Sequence, residues 1–145
     1  MVKEYVASLG VKGFHLEDGE RELHRDVQAQ YRNWFEPVAA VQFLRLLADR
    51  SPITAEHTSL LLNWMQDTSR APKRIKGQLP LDTTVAHKPG TSSAATNDIG
   101  LITLPGGRKL AIAIFITDAK ADEVTRDQVI ARIARAAYDA AIQVL

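Results

Sequence analysis

The chain has 145 residues, 18 Lys and Arg against 17 Asp and Glu, a formal charge of +1 and no cysteine. That balance excludes a strong field for nucleic acid or anionic membrane, and the lack of thiols excludes disulfides, thiol catalysis and thiolate metal sites. With 46% hydrophobic and 24% charged residues the composition is that of a globular chain, and the length predicts a single domain over residues 1–145.

Val2, Tyr5, Val6 and Leu9 repeat at helical spacing, and Gly10 is placed to stop that helix. The helix opens at Met1 without a capping residue, which suggests a preceding segment that was removed or never existed. Met1-Val2-Lys3-Glu4-Tyr5-Val6 lacks the apolar core of a signal peptide, and no later apolar run reaches membrane-spanning length, so no membrane partner is expected. Residues 11–35 have no sustained period, and a connection of that length is usually functional or disordered. Pro37 suits a first helical turn, and Val38, Val41, Leu44, Leu47 and Ala48 are expected along one buried face of a helix ending near Asp49. Ser51-Pro52-Ile53-Thr54 then offers a cap for a second helix reaching Thr68, with Leu60, Leu61, Trp64 and Met65 as its buried stripe.

Three strands follow. The first runs over Thr83 to Lys88, and Asp98 to Leu104 and Lys109 to Ile116 form two more, joined by the hairpin signal Pro105-Gly106-Gly107-Arg108. The last strand is apolar at nearly every position, so both of its faces should be covered. From Asp122 to Leu145, Val124, Ile130, Ile133, Ala134, Ala137, Ala141 and Val144 mark a long amphipathic helix able to cover one of them. The predicted class is α+β, with a helical part over 1–80 and a three-stranded antiparallel sheet plus terminal helix over 81–145.

The stretch Val85-Ala86-His87-Lys88-Pro89-Gly90-Thr91-Ser92 carries the chemistry most plainly. Lys88 is a compact cation suited to a carboxylate, Gly90 admits a ligand close to the backbone, and the Thr91 amide is expected to be free to donate. The same composition also describes an ordinary turn. Taken by themselves, Glu20 and His24 read as a solvated loop carboxylate and a surface imidazole, and Arg70, Lys73, Arg74 and Lys76 as a solvated basic face. His15, His24, His57 and His87 show no metal-ligand spacing, and no aromatic residues interleave the basic cluster, so neither a metal nor a nucleic-acid partner is expected.

Several segments in the same order change those odds. Val85-Ala86-His87-Lys88-Pro89-Gly90-Thr91 resembles the Lys-Thr-Gly strand of class A serine β-lactamases, in the Val-Ala-His-Lys-Thr-Gly-Thr form of the PER and VEB extended-spectrum enzymes. Glu20-Arg21-Glu22-Leu23-His24 resembles the Glu-x-x-Leu-Asn motif of their omega loop, with His in place of Asn as in the PER type. Gln28-Ala29-Gln30-Tyr31-Arg32-Asn33-Trp34, Arg74-Ile75-Lys76-Gly77-Gln78-Leu79-Pro80 and Ala95-Thr96-Asn97-Asp98 match further runs of those enzymes. Only Ser92, Ser93 and Ala94 stand where they carry a longer Gly-rich insertion, so that wall of the site should be shorter. The match runs essentially end to end but corresponds to the second half of such an enzyme, a partial β-lactamase/transpeptidase-like fold with part of the helical lobe and the omega loop.

The resemblance implies a β-lactam-type substrate, no cofactor, and a periplasmic or secreted location, although no export signal is present. It implies Glu20 as the base that activates the deacylating water, with His24 positioning that water. Lys88 and Arg74 would hold the substrate carboxylate, the Thr91 amide would donate to the oxyanion, and Gly90 and Ser92 would line the substrate. No Ser-x-x-Lys and no Ser-Asp-Asn occurs, and Ser69 and Lys73 are one residue too far apart to substitute. Loss of a single oxyanion donor costs about 100- to 1000-fold in rate, and here the nucleophile is missing too, so turnover by this chain alone should be negligible. Pro89 replaces a hydroxyl that touches the substrate carboxylate, which should weaken binding. Two functions are therefore expected: a portion active only with a complementary N-terminal half, or a non-catalytic module that homo-oligomerises or exchanges elements with another copy.

Overall fold

The computed structural model describes residues 2–49, 52–93 and 95–144. Met1, Ser51, Ala94 and Leu145, named in the expectations above, lie outside the described residues.

Helix α1 (Val2–Ser8) ends at Gly10, whose φ of +75° suits a residue without a Cβ. It buries Val6 against Val11 and Ala39, whereas Val2 and Tyr5 of the expected stripe stay exposed. The long aperiodic stretch is closed at its base by two short strands, β1 (Phe14–His15) and β2 (Trp34–Phe35), which pair Phe14 with Phe35 and His15 with Trp34. Between them stand helix α2 (Glu20–Arg25) and a 3-10 turn (Val27–Tyr31).

Helix α3 (Pro37–Ala48) begins with Pro near its first turn and buries Ala39, Ala40, Leu44 and Leu47. Val38, expected on that face, is 80% exposed. It sits six residues before Leu44, about 120° away around the helix, whereas Ala40, Leu44 and Leu47 share one line. Helix α4 (Ala55–Asp67) is capped by Thr54, whose hydroxyl accepts from the His57 amide at 3.3 Å. Its buried residues are Thr58 and Met65, and Leu60 and Trp64, expected in the core, face solvent instead, Trp64 at 64% exposure. A helix resting on the edge strand has only a narrow face to cover, and Leu61, Leu62 and Met65 fill it.

The main sheet has the order β3 (Val85–Thr91), β4 (Ala95–Thr103), β5 (Lys109–Thr117), antiparallel throughout. The first two strands extend further than the sequence suggests, because β3 continues through Pro89 to Thr91 and β4 starts at Ala95. The register explains how a proline is tolerated. Ser92 and Ala95, and Thr84 and Thr103, are joined by backbone hydrogen bonds, so the alternation makes Pro89 and Asp98 a non-hydrogen-bonded pair. The position of Pro89 faces the free edge of β3, where no N–H is needed.

Helix α5 (Glu123–Ile142) covers one face of this sheet with Ile130, Ala134 and Tyr138 against Val85, Ile102, Ile112 and Ile114. Val124, Ile133 and Val144, expected on the apolar side, are exposed. The opposite face takes Leu44 and Leu47 from α3 and Met65 from α4, against Ala86, Leu101 and Ala111. Both faces of the apolar last strand are thus covered, as its composition requires. No helix among the described residues is long and apolar enough to cross a membrane.

Candidate functional site

A cleft of about 860 Å³ lies between α2 and the end of β3, and Glu20, His24, Arg74, Lys88, Gly90, Thr91 and Ser92 all line it. The seven residues given catalytic or substrate-binding roles by the resemblance therefore reach one concavity, although Glu20 and Lys88 are 68 positions apart.

The wall from β3 is built by strand alternation. Val85, Ala86 and His87 are buried, and at Lys88 the strand emerges, so the ammonium is exposed and donates to the Pro89 carbonyl at 2.6 Å. A Cβ at Gly90 would find its nearest neighbour, the Asn97 Cβ, at 4.0 Å, so packing within the chain does not demand glycine there. Its bareness instead leaves the cleft floor open. Thr91 pairs with Thr96 in the non-hydrogen-bonded phase of the ladder, which turns its N–H toward the free edge and away from β4.

Arg74 lies beneath this strand end at 1% exposure. Its Nε donates to Asp127 Oδ1 at 2.7 Å, Nη1 to the carbonyls of Gly90 and Asn97 at 3.0 Å each, and Nη2 to Thr91 Oγ1 at 2.7 Å and Glu123 Oε1 at 3.4 Å. A guanidinium has five N–H groups, and five acceptors meet them. In this arrangement Arg74 ties the 3-10 turn Ile75–Gln78, the sheet and α5 together and holds no spare donor for a ligand carboxylate. Lys73, Lys76 and Arg70 differ from it in kind: Lys76 donates to the Gln66 carbonyl at 3.0 Å, and Arg70 lines the cleft.

The acidic wall stands on a pinned loop. Glu20 opens α2, and its Oε1 lies 3.3 Å from His24 Nε2, one turn on, with both side chains largely exposed. Arg32 fastens the loop's neck through Asp18 at 2.5 Å and Asp26 at 3.1 Å. Those bonds make Arg32 hold its proton more tightly than usual, while the Gln28 amide, and then Arg32, keep the Asp26 carboxyl below the usual range. Asn33 Oδ1 accepts from the amides of Glu17 and Asp18, and its Nδ2 returns a bond to the Asp18 carbonyl. On the far side Tyr31 donates to Asp118 Oδ1 at 3.0 Å, and that carboxylate pushes the phenol up.

One polar pair was not foreseen from the sequence. His87 and Asp98 are both fully buried, with Nδ1 2.8 Å from Oδ2 and 3.0 Å from Oδ1, and Asp98 Oδ2 also accepts from the Ile75 amide at 3.2 Å. The signal was available. Once Pro89 is set opposite Asp98, His87 is the diagonal neighbour on the same face. Among the described residues no cluster of His, Cys, Asp and Glu could hold a metal ion.

Comparison with known proteins agrees with the motifs. A model of the beta-lactamase enzyme family matches residues 1–141. The extended-spectrum beta-lactamase PER-1 of Pseudomonas aeruginosa is 38% identical over 141 residues, covering 93% of this chain and 46% of that protein. Beta-lactamase VEB-1 of the same organism is 34% identical over 132 residues, 86% of this chain and 44% of its own length. Among solved structures, a beta-lactamase from Chitinophaga pinensis superposes with a TM-score of 0.94 at 40% identity, over 97% of this chain and 54% of that one. The TLA-1 extended-spectrum enzyme superposes with a TM-score of 0.93 at 39% identity, over 95% and 52%. The chain spans about half the length of the curated relatives it matches.

Proposed function

Since the chain belongs to the beta-lactamase enzyme family, with the architecture of the class A members, we propose that it supplies the water-activating and carboxylate-binding side of a β-lactam amide hydrolase. The observation that carries this reading is the shared cleft, lined by an exposed carboxylate on a pinned loop and an exposed ammonium on a strand edge.

In this reading an acyl group is held on a serine that belongs to a complementary N-terminal half. Glu20 takes a proton from a water poised against the acyl carbonyl, and His24, 3.3 Å away, keeps the carboxylate and that water aligned. The Thr91 N–H, turned to the open edge, donates to the oxygen as charge develops on it. Lys88 attracts the ligand carboxylate. With all five of its N–H groups engaged, Arg74 acts chiefly by fixing Gly90 and Thr91, and Pro89 adds no donor, so carboxylate affinity rests on Lys88. The second reading, self-association, draws on the outer edge of β5, which no strand of the described residues covers.

Hydrolysis of a chromogenic cephalosporin, measured with the chain alone and mixed with the N-terminal half of a PER-type relative, separates the two. Turnover in the mixture only, with a long-lived acyl adduct by mass spectrometry for Glu20→Gln and a raised KM for Lys88→Ala, is the expected result. No turnover in either sample, with a stable homodimer by light scattering, overturns the hydrolase reading in favour of the second.

A further inference from the structure

The cleft carries more positive charge than its own carboxylates answer. Of the ionisable groups that line it, Arg74 is met by Asp127 at 2.7 Å and by Glu123 at 3.4 Å, and Glu20 lies 3.3 Å from His24. That leaves Arg70 and Lys88. Among the described residues neither has a carboxylate within ion-pair distance: Lys88 reaches the carbonyl of Pro89, and the Arg70 guanidinium has no bonding partner.

A cation without a partner is common on an open surface, where water serves instead. Arg70 differs from its neighbour Lys73, which does not line the cleft, because the chain is bent to place it there. Thr68 Oγ1 accepts from the Arg70 amide at 3.3 Å, Ala71 follows with a φ of +47°, which residues bearing a Cβ rarely adopt, and the Ala71 carbonyl accepts from the Arg74 amide at 3.1 Å. Both ends of the bend are tied while the guanidinium stays free.

Two hydroxyls add to its character. Thr68 and Thr91 both line the cleft, and each already accepts from an N–H, Thr68 from the Arg70 amide and Thr91 from Arg74 Nη2 at 2.7 Å. A hydroxyl that accepts keeps its own proton to donate, so the groups beside Arg70 and Lys88 also favour an anion.

A ligand with one carboxylate answers Lys88 and leaves Arg70 unmatched, in a concavity where charge is screened less than on open surface. We infer that the ligand of this cleft carries two anionic groups, Lys88 meeting one and Arg70, with the Thr68 hydroxyl, meeting the other. The second group is a carboxylate or its like, since a guanidinium offers such a group two parallel N–H donors. The inference rests on the proposed function in taking this cleft as the seat of a carboxylate ligand, but it requires neither a serine nor turnover.

The test is binding to the chain alone at low ionic strength, followed by NMR shifts of the backbone amides and of the Arg70 Nε–H. Malonate, glutarate and pimelate, dicarboxylates of increasing reach, are compared with butyrate, which has one carboxylate. Saturable shifts at Thr68, Arg70 and Lys88 are expected with the best-fitting dicarboxylate, and binding of butyrate weaker by about fivefold or more. Arg70→Gln should bring the two within about twofold, Arg70→Lys should recover part of the preference, and Lys73→Ala, which alters a cation outside the cleft, should leave it intact. Melting temperatures should stay unchanged, because both positions are exposed. Equal affinity for dicarboxylate and butyrate, a preference that survives Arg70→Gln or is lost equally in Lys73→Ala, or no saturable shift with any dicarboxylate overturns the inference. Benzylpenicillin, with one carboxylate, separates it from the hydrolase reading. Dicarboxylate binding with no penicillin shift at Gly90 and Thr91 upholds the two-cation site and counts against a β-lactam ligand, whereas penicillin binding with no preference for a dicarboxylate upholds the hydrolase reading and overturns this one.

Discussion

His87 and Asp98 face each other in the sheet interior at 2.8 Å, with neither side chain reaching solvent, and Asp98 simultaneously holds the amide of Ile75. His87 adjoins Lys88 in the chain and Ile75, held by Asp98, adjoins Arg74, so the pair links the strand that presents the cation to the turn that supports it. Removing one member leaves the other buried and uncompensated. Asp98→Ala leaves the His87 Nδ1 and the Ile75 amide without their partner and should lower stability in urea unfolding by about 1–3 kcal/mol for each group left unsatisfied. A His87→Leu, Asp98→Leu double variant should lose less than either single change, and equal or additive losses would count against the pair as a unit.

Gly100 makes room for that histidine. A Cβ there would stand 2.5 Å from the Ala86 carbonyl and 2.8 Å from the His87 Cβ, so Gly100→Ala forces the strands apart at a cost of about 1–3 kcal/mol. Gly90→Ala, with its nearest neighbour at 4.0 Å, should change stability by less than about 0.5 kcal/mol. Thermal melts of the two variants compare them directly, and equal melting temperatures would contradict this assignment.

Arg74→Lys is not conservative here. An ammonium has three donors for five acceptors, so at least two of the Arg74 contacts are lost; the Gly90 and Asn97 carbonyls keep their ladder bonds to each other, and each lost contact costs about 0.5–1.5 kcal/mol. Loss of stability together with large amide shifts at Gly90 and Thr91 is expected. Native melting behaviour in Arg74→Lys would show that the bonding pattern matters little.

Helix α5 is capped by Asp122, whose carboxylate accepts from the Thr125 amide at 2.7 Å. That bond first, then the Thr125 side chain, holds the carboxyl below its ordinary value. A lowered folded value means that folding favours the ionised form, so the contribution is full above the unfolded value of about 3.9 and fades as pH falls through the lowered one. The melting-temperature gap between the wild type and Asp122→Ala should be widest near neutrality and narrow below about pH 4. A gap that does not vary with pH would show that charge plays no part in the cap.

Trp64 and Leu44 invert the usual ranking by size. Leu44 is 1% exposed at the meeting of α3, α4 and the sheet, so Leu44→Ala should cost about 2–5 kcal/mol. Trp64→Gln should stay within about 0.5 kcal/mol despite the larger side chain removed. Chemical denaturation of both variants checks the order.

Much of the architecture was legible in one dimension. Gly10, Pro37 and the Gly106-Gly107 turn are local instructions, obeyed because glycine and proline restrict or free the backbone wherever they stand. The Glu20 loop and the Lys88 strand were likewise recognisable from their motifs, and one cleft holds them both. Tertiary structure decided which side of each helix is covered, turning Val38, Leu60 and Trp64 outward, because periodicity defines a stripe but not the width of the surface that meets it. It also decided that Arg74 is saturated, that His87 finds Asp98, and that Arg70 and Lys88 line one cleft. Those arrangements join residues from separate elements, and strand register together with packing, rather than any local preference, brings their atoms within bonding distance.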